Sequence, residues 1–288
     1  MVTLIEHLNR EDADTFSLVL RAVGISHRVV GANSEFRIDV PEPLFDAART
    51  AIRRYQSENP IPPATSPPRG RSSAPIPLSG FFIAIVLLAV YLAVKGSQAP
   101  LDYDRVFGAD ARLIMNGQLY RCATALLLHA DATHIAANMA GIALFGSAVC
   151  AATGAGVGWL TILACGVAGN WMNAWAYQRD HLSVGASTAI FGALGILCAI
   201  QAVRAIRTGR GWKQVVLITG AGVAMLAFLG AGARSDIGAH LFGWLAGVLF
   251  GGLHGMLVHR PLETKWQVAC AAAAALTLVA AWVRGAAG

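Results

Sequence analysis

The chain has 288 residues, of which 56% are hydrophobic and only 13% charged, with a formal net charge of +6 and a mean hydropathy of +0.55. That balance is too apolar for an ordinary soluble domain and describes a polytopic membrane protein. It also argues against nucleic acid as a partner, because the arginines sit between apolar runs and form no dense stripe with interleaved aromatics.

The first segment, 1–58, is the most charged part of the chain. Its pattern predicts an amphipathic helix near 12–23, two short alternating stretches near 26–30 and 36–40, and a second helix near 44–56. This describes a small soluble α/β domain, with Leu18, Leu20, Val23, Val29, Ile38, Phe45 and Ile52 as its expected core and no catalytic constellation. The opening run MVTLIEHLNRED has no basic stretch followed by an apolar one, so no cleavable signal peptide is expected. Residues 59–79, with Pro60, Pro62, Pro63, Pro67, Pro68, Pro75 and Pro77 among serines, read as an extended linker and a domain boundary.

Beyond the linker, apolar segments long enough to cross about 30 Å of hydrocarbon recur at 80–96, 132–152, 155–177, 186–203, 214–232, 238–258 and 265–283. The connection 97–131 is too broken by Gly108, Gly117 and charges to span, yet apolar enough to lie at the membrane interface. Cys122, Cys150, Cys165, Cys198 and Cys270 show no metal-binding or redox spacing and read as small core residues.

Loop charges orient the bundle. Arg69 and Arg71 precede the first span, Arg204, Arg207, Arg210 and Lys213 lie between the fourth and fifth, and His259, Arg260 and Lys265 lie between the sixth and seventh. Alternation puts all three groups on one side, which the positive-inside rule makes cytoplasmic. Arg105, Arg112 and Arg121, spread through the first connection, count against this assignment. With that orientation Ser187, His240, His134 and Asn138 all start their helices from the outer side, although none of them entered the charge argument.

Polar side chains in apolar segments are costly, so a group of them at one depth points to a functional site. Ser187 follows Gly185 and Ala186 at a helix N-terminus, where the dipole favours developing negative charge. Its helix is expected to be short, about 17 residues or roughly 25 Å, leaving a water-filled depression above the serine. His240 is followed by Gly243, Gly247 and Gly251, a small-residue ridge that lets its helix approach a neighbour closely. His134 and Asn138, spaced i, i+4, share one helix face and can both donate hydrogen bonds. Taken singly, each of these residues can equally serve helix packing. A zinc site built from His129, Asp131, His134 and His240 is a further alternative, although HExxH is absent and His129 and His134 do not share a helical face.

Together the residues resemble the rhomboid intramembrane serine proteases. The resemblance rests on Tyr120-Arg121, HADATHIAAN (129–138), GASTAIFG around Ser187 and AHLFGWLAG around His240, in that order along the chain. It implies an all-α polytopic membrane bundle: a six-helix catalytic core at 80–258 and an added seventh helix in 259–288, after the small α/β domain. It further implies Ser187 as nucleophile, His240 as general base without a third acid, and an oxyanion hole made by His134, Asn138 and the Ser187 N–H. Gly185 and Phe191 would support the pair, while His129 and Arg121 would have structural roles in the first outer connection. Tyr120 replaces the family's tryptophan, and Thr188 stands where many members have glycine, which is expected to alter the entrance of the site.

The function expected from the resemblance is cleavage of peptide bonds in or beside transmembrane helices, with no cofactor. The partners are transmembrane protein substrates and the lipid bilayer. The location implied is a bacterial cell membrane, with the N-terminal domain in the cytoplasm and the site opening outward. A zinc-dependent intramembrane hydrolase and a non-catalytic scaffold for transmembrane helices are the alternatives.

Overall fold

Where side chains alternate the chain forms strands, and where apolar residues run on without charge it forms long helices. The computed structural model describes residues 1–32, 35–59, 78–97, 101–178, 181–209, 211–230, 236–258 and 262–287. Two compact units result, Met1–Ser72 and Ser73–Gly288. The proline-rich segment 60–77, with Arg69 and Arg71, lies outside the described residues, as do Arg210, His259 and Arg260.

In the first unit, strands β1 (Val2–Leu8), β2 (Arg28–Ala32) and β3 (Glu35–Val40) form an antiparallel sheet in the order β1-β3-β2. Helices α1 (Arg10–Ala22) and α2 (Phe45–Glu58) pack with it. Asn9 caps α1, its Oδ1 accepting from the Asp12 amide at 2.8 Å. The expected core is corrected in part. Leu20, Ile38 and Ile52 are buried, but Leu18, Val23 and Val29 are 65%, 55% and 38% exposed. The buried stripe of α1 is Ala13, Phe16, Ser17 and Leu20, and Leu18 is on the opposite side of the helix. Strand β1 was not expected from the sequence, because register shifts between Thr3 and Ile5 and between Ile5 and Leu8 break its alternation.

The second unit is a helix bundle. Among the described residues six helices are long and apolar enough to cross a membrane: α3 (Ser79–Gly96), the span Ala132–Thr153, α9 (Ala155–Tyr177), α10 (Ser187–Arg207), α12 (Ile237–Leu257) and α13 (Thr264–Ala286). The span Ala132–Thr153 comprises α7 (Ala132–Gly141), a π-helical turn at Ile142–Gly146 and α8 (Ser147–Thr153). The remaining expected span is α11 (Trp212–Gly230), whose described apolar part, Trp212–Phe228, is shorter than the other six. Helix α10 has 21 residues, longer than the sequence suggested, because it continues through Arg204 and Arg207. At about 1.5 Å per residue it extends roughly 31 Å, so its length alone gives no reason for a depression above Ser187.

Helix α10 is the centre of the bundle. Some 61% of its apolar window is buried, against 6% for α13, and it packs on both α9 and α12. The described part of the first connection contains three short α-helices, α4 (Tyr103–Phe107), α5 (Ala111–Met115) and α6 (Arg121–Thr124), and a 3-10 turn at Ala125–Leu127. A two-residue strand β4 (Ala109–Asp110) pairs with β5 (Leu182–Ser183), fastening this connection to the loop before Ser187.

Candidate active site

Ser187 is the first residue of α10, and His240 lies in the first turn of α12. Their side chains meet, with His240 Nε2 2.9 Å from Ser187 Oγ. Backbone proximity makes this contact possible. A Cβ on Gly243 would lie 2.2 Å from the Thr188 carbonyl oxygen, and one on Gly247 would lie 2.0 Å from that of Gly192. At Gly251 an added Cβ would come within 2.6 Å of the Ile196 backbone. The ridge therefore presses α12 directly onto the α10 backbone at three successive turns. The Phe191 ring, one turn after Ser187, lies 4.4 Å from the His240 ring at a 36° tilt, and His240 is buried.

On the other side of Ser187 the chain passes through Gly185 at φ +130°, a conformation L side chains rarely adopt. A Cβ there would also strike His134, lying 2.6 Å from Nε2, and would be 3.7 Å from Asn138 Nδ2. Both donors thus close over the backbone two residues before the serine. Asp131 caps α7 by accepting from the His134 amide at 2.8 Å, and Asn138 Nδ2 donates to the His134 carbonyl at 2.9 Å, which leaves its second hydrogen available. His129 is buried beside them, its ring edge-on to His134 at 5.2 Å. The Ala186 amide donates to His129 Nε2 at 3.5 Å. Burial, helped by the nearby His134, pushes the His129 pKa down to about 4, so this ring is neutral at physiological pH.

Arg121 is buried in the first connection. Its Nε donates to Gln118 Oε1 at 2.7 Å, and its Nη1 donates to the carbonyls of Arg105 at 2.8 Å and Gly108 at 3.0 Å. It ties the loop together and does not reach the Ser187–His240 pair by any of these bonds. Tyr120 packs against α13, where a Cβ on Gly285 would lie 2.8 Å from its ring. Thr188 does not stand at the entrance as expected. It is 2% exposed, its hydroxyl donates to Asn170 Oδ1 at 2.9 Å, and its methyl faces Gly169 and Gly243. Asn170 in turn donates to the Cys122 carbonyl at 2.9 Å, joining α9, α10 and α6.

Sequence reading missed Asn170, and it also missed a polar cluster at the N-terminal end of α12. Asp236 caps α12, with Oδ1 accepting from the Ala239 amide at 3.0 Å. Its Oδ2 accepts from Asn173 Nδ2 at 2.7 Å and from His181 Nε2 at 2.6 Å. Burial pushes this carboxyl up, but the bonds from His181, the Ala239 amide and Ser183 outweigh it and hold the group below the usual carboxylate range. An aspartate immediately before an apolar helix is a readable cap signal, whereas its partners are not readable from spacing.

The Rhomboid domain family model matches residues 116–256, a stretch that contains every one of these site residues. The chain belongs to the rhomboid family. YdcA of Bacillus subtilis, whose name places it among rhomboid proteases, is 28% identical over 174 residues, 60% of this chain and 86% of YdcA. The rhomboid protease GluP of the same organism is 30% identical over 170 residues, 58% of this chain but 32% of GluP. The chloroplastic rhomboid-like protein 11 of Arabidopsis thaliana is 26% identical over 208 residues, 70% of this chain and 64% of that protein. The rhomboid described here is by class an intramembrane serine protease, an integral membrane hydrolase.

Proposed function

We propose that this rhomboid hydrolyses peptide bonds in or beside transmembrane segments, with Ser187 as nucleophile and His240 as general base. The 2.9 Å contact between His240 Nε2 and Ser187 Oγ carries the assignment, since it lies within the range a base needs to take a hydroxyl proton. Ser187 Oγ attacks the carbonyl carbon as its proton passes to His240 Nε2. The oxyanion accepts hydrogen bonds from His134 in its Nε2–H tautomer, from Asn138 Nδ2 and from the Ser187 N–H, which at the first turn of α10 has no partner within its helix. Collapse expels the amine, which takes the proton from His240. Water, deprotonated by the same imidazole, then attacks the acyl carbon; the bond to Ser187 Oγ breaks, Oγ takes the proton back from His240, and the carboxylic acid product leaves. Phe191 packs on the imidazole, and Gly185 lets the oxyanion donors come close. Arg121 ties the first connection together, and His129 accepts from the Ala186 amide just before the helix that carries Ser187.

Residues 80–258 would form the catalytic core, 1–58 a cytoplasmic module, 59–79 its linker, and 259–288 the segment carrying the seventh helix. The rhomboid would reside in a bacterial cell membrane with its site opening outward. Among the described residues no three His, Cys, Asp or Glu side chains gather as metal ligands, which supports a serine mechanism over a zinc one. In proteoliposomes holding a transmembrane substrate, Ser187→Ala and His240→Ala should each abolish cleavage. Chelator should leave the wild type active, and a fluorophosphonate should label it at Ser187. Cleavage retained by either variant would defeat the assignment.

A further inference from the structure

The glycine ridge holds α12 against α10 only below His240, at positions 243, 247 and 251. Glycines allow two backbones to touch, but they offer no side chain that resists rotation of one helix about its own axis. Trp244 packs with Phe191 and Leu194 of α10 one turn further along, so the first turn of α12 is where a separate restraint bears on the aim of His240 at Ser187.

Asp236 is suited to provide it. Its backbone carbonyl accepts from the His240 amide at 3.1 Å, so the residue that caps α12 also makes the helical bond to His240. Its carboxylate is only 13% exposed, and Oδ2 collects two donors from outside α12. Asn173 belongs to the last turn of α9. His181 lies in the loop leading to Ser187; its ring stacks on Tyr177 at 3.9 Å and 8°, and its carbonyl accepts from the Ala111 amide at 2.9 Å. Because a carboxylate can only accept, His181 presents Nε2–H to it. Bonds to an ionised acceptor are shorter and stronger than neutral ones, and two converging on one oxygen fix its direction. The first turn of α12 also abuts α9 closely, since a Cβ on Gly238 would lie 2.5 Å from Asn173 Oδ1.

We propose that Asp236 is a positioning residue for the catalytic pair: held by Asn173 and His181, it fixes the rotation of the first turn of α12 and so aims His240 at Ser187. The proposal rests on the assignment of Ser187 and His240 above. Its effect is on the turnover step, because Asp236 acts through α12 and not on the substrate.

The test uses the full chain in proteoliposomes. Asp236→Asn keeps a good helix cap but removes the charge that gathers the two donors. Asn173→Ala removes one donor and leaves the carboxylate and the cap in place. Both variants should lower kcat and the rate of fluorophosphonate labelling at Ser187 by about 10-fold or more, with KM and the melting temperature close to wild type, since misplacement by about 1 Å can cost about 100-fold. Wild-type labelling and kcat in both variants would overturn the proposal. So would a fall in kcat that tracks a fall in melting temperature and disappears on cooling, which would mark a merely structural contact. Ser187→Ala, run in parallel, separates the two readings. If it still cleaves, the dyad is wrong; if it is inactive while Asp236→Asn and Asn173→Ala run at the wild-type rate, only the positioning role fails.

Discussion

Replacing Gly247 with alanine tests whether backbone contact between α10 and α12 sets the geometry of the proposed Ser187–His240 pair. The added Cβ would lie 2.0 Å from the Gly192 carbonyl oxygen, whereas ordinary contact begins at 3.4 Å. The obstacle is backbone on a central helix, not the end of a flexible side chain, so the helices must separate by about 1.4 Å or tilt to the same effect. If half of that movement reached the first turn of α12, the Ser187–His240 contact would lengthen from 2.9 Å to about 3.6 Å, beyond the range for proton transfer. Activity should fall about 100-fold, and overpacking should cost about 1–3 kcal/mol of stability. Gly252→Ala on the same helix is the control, because its Cβ would meet nothing within 4 Å. Cleavage of a transmembrane reporter in proteoliposomes, normalised to folded protein, gives the readout. If Gly247→Ala cleaves as fast as Gly252→Ala, the claim that glycine contacts position the dyad is wrong.

Two further outcomes follow from buried polar groups. Thr188→Val should lower stability by about 1–3 kcal/mol by leaving Asn170 Oδ1 without its donor, while Thr188→Ser, which keeps that donor and loses only a methyl, should cost less; thermal unfolding in detergent distinguishes them. The His129 pKa lies near 4 in the fold against 6.5 in the unfolded chain, so below pH 6.5 the unfolded state takes up the proton first. The stability present above pH 6.5 should therefore decline by up to about 3 kcal/mol as the pH falls to 4. Melts at both ends of that window should show a smaller loss for His129→Gln, and parallel curves for the two proteins would refute the link.

The legible features of this rhomboid were those that depend on period and composition. Apolar runs gave the spans, because a bilayer imposes length and hydropathy on each helix separately. Ser187, His240, His134 and Asn138 stood out because polar groups at membrane depth are costly, and the glycines after His240 because only small residues allow such an approach. What could not be read was direction. Thr188 adjoins Ser187 in sequence, yet it points between α9 and α12 to Asn170 and is buried there. Leu18 is as apolar as Leu20 but lies on the wrong face of α1, and β1 was hidden because irregular pairing disrupts its alternation.

The same limit explains why the Asp236 cluster was missed. Asn173, His181 and Asp236 come from the end of one helix, a loop and a cap, with no common period to link them. Yet the two kinds of feature depend on each other. The glycine ridge sets how near α12 can come to α10, and the glycines themselves add little resistance to rotation. Side chains that fix the first turn of α12 come also from other elements, here α9 and the loop before Ser187. For this reason the positional precision of a site on two helices is carried partly by residues that adjoin neither member of the pair in sequence.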